Sequence, residues 1–200
     1  MAPRLVLASA SPRRLQLLQM LGLEPEVHAA AIDEAYLAGE EPGAHAERLA
    51  REKAGAVAAL RPDAIVIGSD TVVTVDGDVL GKPRDAGHAV AMLLRLQGRS
   101  HTVATGIAVA AGGRVRSAVE RVEVRFRTFD EATARAYAAT GEPLDKAGAY
   151  GIQGYGSTLV DGITGDYFAV MGLPLARTMR LLEGAGWRYG FGTLEPVGGA

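Results

Sequence analysis

The 200-residue chain contains no cysteine. Disulfides, thiolate metal sites and cysteine nucleophiles are excluded together, and the composition fits a reducing compartment. Lysine is almost as scarce: Lys53, Lys82 and Lys146 are the three lysines among 21 basic residues. Histidine occurs four times, at 28, 45, 88 and 101, with no metal-ligand spacing, so a histidine-based metal centre is not expected. A net charge of −2 carries none of the basic excess that marks a nucleic-acid partner. No apolar run approaches membrane-spanning length, and no membrane association is expected. The opening MAPRLVLASA has the outline of a signal peptide, but its apolar centre is too short and runs on into a helix pattern. A cytoplasmic protein with an intact N-terminus is expected. Phosphate loops of the Gly-x4-Gly-Lys-Ser/Thr type, dinucleotide Gly-x-Gly-x-x-Gly turns, kinase signatures and the His-Glu-x-x-His zinc helix are all missing.

What is present is an alternation of strands and helices with hydrophobic and charged fractions of 48% and 22%, ordinary for a folded domain. A short apolar strand at 4–8 leads to a helix with Ser11 as N-cap, Pro12 at its first position and Gly22 as its stop. A second, alanine-rich helix is predicted over 43–60, and a buried strand over 64–70. Hairpins are predicted around Asp76-Gly77 and Gly112-Gly113. Further helices are expected near 85–97, from 130 to a stop at Gly141, and over 173–183, with a strand near 157–161. The fold class is mixed α/β, a central sheet with flanking helices. The chain reads as one domain over 1–200, with a glycine-rich tail from 186 that frays.

Four short stretches carry candidate chemistry. The first is ASASPRR at 8–14, which puts Arg13 and Arg14 in the first turn of a helix. Cations there oppose the helix dipole, at about 0.3–1 kcal/mol each when exposed. An anionic ligand reverses that sign, since unpaired N–H groups, Ser9, Ser11 and two guanidinium forks would converge on phosphate. The alternative is a solvated helix start. No nucleophile elbow surrounds the serines. The second is SDTVV at 69–73, where Asp70 ends an apolar strand at the rim of a sheet. Such a carboxylate could hold a divalent cation or take a proton from water, or simply cap a turn. The third is GKP at 81–83, with Lys82 between a glycine and a proline, able to meet a phosphate or to stand in solvent. The fourth, GEPLDKAGAYGIQG at 141–154, brings Glu142, Asp145, Lys146, Tyr150 and Gln153 into a glycine-rich loop that allows close approach to a ligand.

In this order and approximate spacing the four stretches resemble the Maf family of nucleotide pyrophosphatases, a similarity running from Leu5 to about Leu182. The resemblance implies a fold related to inosine triphosphate pyrophosphatases, with two lobes around a cleft. It also implies hydrolysis of a nucleoside triphosphate to monophosphate and pyrophosphate with a divalent cation, Mg2+ or Mn2+. Carried onto matching positions, Ser9, Arg13, Arg14, Lys53, Lys82 and Lys146 would line the triphosphate site. Asp70 would be the proton acceptor, joined by Glu34 near metal and water, with Lys82 in the catalytic group. Arg13, Thr71 and Gln153 match the branch acting on dTTP and UTP; the 7-methyl-GTP branch carries a bulky aromatic, a glutamine and a glutamate there. A Gln amide both donates and accepts, as the imide edge of thymine or uracil requires, whereas a carboxylate only accepts and suits guanine. Family and symmetry arguments imply a homodimer. The family's link to septum formation leaves a nucleotide-binding regulator with little turnover as the alternative.

Overall fold

Apolar runs and turn signals translate into nine strands and six helices in the computed structural model, which describes residues 3–198. In chain order these are β1 (Arg4–Leu7), α1 (Pro12–Met20), β2 (Glu26–Val27), α2 (Pro42–Leu60), β3 (Ala64–Val75), β4 (Asp78–Leu80) and α3 (Ala86–Leu96). Then come β5 (Ser100–Ala111), β6 (Arg114–Phe126), α4 (Glu131–Ala139), β7 (Val160–Thr164), α5 (Tyr167–Met171), α6 (Leu175–Gly184), β8 (Trp187–Tyr189) and β9 (Leu194–Pro196). Seven strands join in one sheet in the order β2-β1-β3-β5-β6-β7, with β4 paired to β3. The sheet is mixed: β1 is parallel to β2 and β3, whereas β3/β4 and β6/β7 are antiparallel. The mixed α/β class is therefore borne out.

Both hairpins form where the dipeptides placed them. Asp76 and Gly77 have φ of 53° and 83°, and Gly112 and Gly113 have 55° and 73°, the left-handed pairs that match strand twist in a two-residue turn. Two side-chain caps do the work expected of turn aspartates: Asp85 accepts from the His88 amide and Asp130 from the Thr133 amide.

Two expectations differ. The strand placed near 157–161 is a 3-10 turn over Gly154–Leu159, and β7 starts only at Val160. Ser157 and Thr158 hydroxyls donate back to the Gly154 and Tyr155 carbonyls, which curls the backbone before it can extend. Of the tail expected to fray from 186, the described residues form the β8/β9 hairpin instead, and 199–200 lie outside the described residues. It is fastened by the Tyr189 hydroxyl donating to the Leu21 carbonyl at 2.7 Å, and Leu194 is buried.

The chain divides into two compact units, one of residues 1–70, 105–120 and 172–200, the other of 71–104 and 121–171. Strands β3, β5 and β6 give one stretch to each. In the first unit one cluster of the core is small-chained, built from Val6, Ala8, Ala50, Ala54, Val57, Val66 and Ala108, and Leu7, Leu18, Leu49 and Ile67 are fully buried as well. In the second it is larger and aromatic, with Leu93, Leu96, Phe126, Tyr137 and Tyr150 among its members.

His101 sits inside that second core, 4% exposed, with Nε2 2.8 Å from the Tyr150 hydroxyl and Nδ1 lacking any partner. Burial pushes its pKa down from 6.5 to about 4. Below pH 6.5 the unfolded chain therefore takes up this proton first, and stability present above that pH is lost as pH falls toward 4. Chemical denaturation at about pH 7 and about pH 4.5 is expected to show a loss on the order of 2 kcal/mol traceable to this residue. His101→Gln is expected to remove most of that component, and wild type and variant losing stability in parallel would contradict it.

Candidate active site

The first unit holds seven of the residues singled out in the sequence: Ser9, Ser11, Arg13, Arg14, Glu34, Lys53 and Asp70. Their convergence begins with small residues. Ala46, Ala50 and Ala54 form one stripe of α2, and the strands beneath present Gly68 and Gly106. A Cβ at Gly68 would lie 2.4 Å from the Ala50 carbonyl oxygen, and one at Gly106 2.1 Å from that of Ala46. Only glycine lets the helix come this close. The close approach sets Lys53, one turn from Ala50, against Asp70, which lies within β3 rather than at its end as expected, because the strand runs on to Val75.

Lys53 is the centre of the site. Its side chain is 9% exposed, and the ammonium lies 2.7 Å from Asp70 Oδ1 and 2.7 Å from Glu34 Oε1. A nearly buried cation thus joins two carboxylates from distant parts of the chain. Asp70 is itself 15% exposed at the side chain, and Glu34 59%, so the cluster opens to solvent on the Glu34 side.

The β1–α1 turn supplies the rest. Ser11 is at the N-cap of α1 as expected, yet its side chain makes no capping bond. Ser9, buried, accepts from the Ser11 amide at 3.3 Å and from Arg14 Nη1 at 2.9 Å, a hydroxyl held in place rather than activated. Arg14 Nε also donates to the Gly172 carbonyl at 2.8 Å, so this guanidinium is partly a strut of the turn. Burial lowers the Arg14 pKa; the charges of Asp70 and Glu34 oppose that shift and Arg13 adds to it, which places all four in one electrostatic neighbourhood.

Two supports were missed in the sequence. The Ser69 hydroxyl, fully buried, lies 2.7 Å from the Gly106 carbonyl and 2.8 Å from that of Gly172. Gly172, at φ 108°, turns one carbonyl toward both Ser69 and Arg14. The signal available was a polar residue immediately before Asp70 in an otherwise apolar strand.

The segment carrying Glu34 has no regular structure, but residues 35–40 are tied to α2. Arg48 donates to both Glu40 oxygens at 2.6 and 2.8 Å and to the Ala35 carbonyl at 2.9 Å. Glu40 also meets His45 Nδ1 at 2.8 Å, and Tyr36 stacks flat on the His45 ring at 3.5 Å. The Arg48 fork holds the Glu40 carboxyl well below the usual range, against burial and with help from His45 and the Leu37 amide. Arg48→Ala is expected to lower turnover about tenfold by releasing Glu34, and to cost little more in a Glu34→Ala background. Independent, multiplying effects in the double variant would show that Arg48 acts elsewhere.

The remaining residues belong to the second unit. Thr71 follows Asp70 on β3. Lys82 is exposed, and its segment docks on the glycine-rich loop through the Gly148 amide, which donates to the Gly81 carbonyl at 3.1 Å. Lys146 donates to the Glu142 carbonyl and to Asp145 Oδ1, both at 2.6 Å. Gln153 is exposed with no hydrogen-bond partner among the described residues.

A profile described as "Maf-like protein" matches residues 4–185. The chain belongs to the Maf family. A protein of Myxococcus xanthus (strain DK1622) named "dTTP/UTP pyrophosphatase" is 52% identical over 188 residues, 92% of this chain and 95% of its own. Proteins of the same name from Desulfotalea psychrophila (strain LSv54) and Vibrio cholerae (strain N16961) are 52% and 50% identical, covering 89% and 90% of this chain and 92% and 97% of theirs. No helix of the described residues is long and apolar enough to cross a membrane.

Proposed function

We propose that this Maf-family enzyme hydrolyses dTTP and UTP to the monophosphate and pyrophosphate. The observation that carries the reading is the Lys53 ammonium joined to Asp70 and Glu34, beside the arginine-bearing start of α1. Asp70 takes a proton from, or orients, the attacking water, and Lys53 holds that carboxylate in place. Arg13, Arg14 and Ser9, with Lys82 and Lys146, bind the polyphosphate and offset the charge that develops on the departing pyrophosphate.

Among the described residues no group of three or more histidine or acidic side chains is gathered that would hold a metal alone. The donor set nonetheless suits an ion such as Mg2+, which takes one or two carboxylates and completes its shell with substrate phosphates and water. Asp70 and Glu34 would hold it, and when bound it would neutralise phosphate charge.

Gln153 reads the imide edge of thymine and uracil by donating and accepting at once, with Arg13 and Thr71 completing the selective set. The role that follows is housecleaning of the nucleotide pool in the cytoplasm, by a homodimer. The test is kcat/KM across dTTP, UTP, CTP, ATP, GTP and 7-methyl-GTP. Preference for dTTP and UTP is expected, and Gln153→Glu is expected to cut it about tenfold. A folded protein that binds these nucleotides without turnover would favour the regulator instead, and unchanged selectivity in Gln153→Glu would remove the base-reading role.

A further inference from the structure

The spacing of glycines in GIQGYG has a geometric cause. The Tyr137 hydroxyl, on α4, donates to Glu142 Oε1 at 2.8 Å and accepts from the Gly151 amide at 3.1 Å. The Glu142 carboxylate then accepts from the Tyr155 amide at 2.9 Å and from the Gly156 amide at 3.0 Å. A Cβ at Gly154 would lie 2.5 Å from Glu142 Oε2, and one at Gly156 2.3 Å from the Gly151 carbonyl and 2.5 Å from the Tyr137 hydroxyl. Glycine at 154 and 156 is therefore what allows the loop to close on these two side chains. Gly154 further requires its left-handed φ of 63°.

The loop is pinned at 151 on one side and at 155 and 156 on the other. Between the pins hang Ile152, Gln153 and Gly154. Ile152 is buried and Gln153 is turned to solvent. An isolated loop would lose backbone entropy on fixing this geometry; here it is fixed beforehand. Glu142 is kept ionised for the purpose. Burial pushes its carboxyl up, but the two amides, the Tyr137 hydroxyl and the Lys146 charge outweigh burial and hold it below the usual range. Burial and the Glu142 bond raise the Tyr137 phenol, so it remains a donor.

We propose that Tyr137 and Glu142 are positioning residues for Gln153, fixing its backbone so that its amide meets the base already oriented. This rests on the reading of Gln153 as the base-selective residue. The recognition is acceptor-only. A glutamine at 142 would turn an N–H2 toward one of three incoming donors, so Glu142→Gln breaks the knot although it is nearly isosteric. Tyr137→Phe removes both hydroxyl bonds and keeps the ring in the core.

The test is a double-mutant cycle read in KM for dTTP and UTP. Tyr137→Phe and Glu142→Gln are each expected to raise KM about tenfold with kcat held within about threefold. In a Gln153→Ala background neither is expected to raise it further. Equal effects with and without Gln153 would overturn the proposal, since they would mark a general packing role. So would a large effect of Gln153→Ala alongside no effect of either variant. A Gln153→Ala protein that keeps native selectivity would overturn the base reading itself, and this proposal with it. Tyr137→Phe, the milder change, decides the matter if Glu142→Gln does not fold.

Discussion

Asp70→Asn is expected to lower kcat by about 1,000-fold or more while leaving a folded protein that binds dTTP within a few-fold of wild type. The size follows from removing a proton acceptor, a change generally worth about 100- to 10,000-fold, compounded here by loss of a carboxylate suited to a divalent ion. Folding survives because the amide keeps an oxygen facing Lys53, and because Glu34 still neutralises the ammonium from the solvent side. Binding is expected to survive because the arginines proposed to hold the phosphates, at the start of α1, are untouched. Turnover within tenfold of wild type would show that the acceptor is another group.

Lys53→Met is expected to have the next largest effect, about 100-fold or more in kcat/KM. The cause is local. Asp70 and Glu34 are both 2.7 Å from one ammonium, and without it neither carboxylate is held in place by this cation. Solvent contact at Glu34 limits the loss of stability, and the methionine chain fills the aliphatic space the lysine leaves. A loss of rate of only a few-fold would mean that Lys53 is a structural cross-link only.

Much of this was legible in the sequence because it is local. Dipeptides at 76–77 and 112–113 fix turn geometry on their own, and the hairpins formed there. Apolar runs placed β1 and the start of β3, although β3 continues five residues beyond Asp70 because Val73 and Val75 bury in the second core. Misreadings arose where side-chain hydrogen bonds override the pattern of apolar residues and glycines. Ser157 and Thr158 turn a β-prone stretch into a 3-10 turn through their own hydroxyls. The tail is ordered by a phenol reaching Leu21, 168 residues away. The Gly172 carbonyl that braces Arg14 and Ser69 carries no local mark at all, since it depends on α5 ending where it does. The glycine-rich loop was readable as a place of close approach, but the approach turned out to be to Tyr137 and Glu142.

The central claim is that the first-unit cluster serves cleavage between the α- and β-phosphates. The most direct measurement is hydrolysis of dTTP and UTP in 18O-water with Mg2+ or Mn2+, with the products separated and weighed. Equimolar monophosphate and pyrophosphate, with the label in the monophosphate, is the predicted result. Diphosphate and inorganic phosphate, or label confined to pyrophosphate, would contradict it.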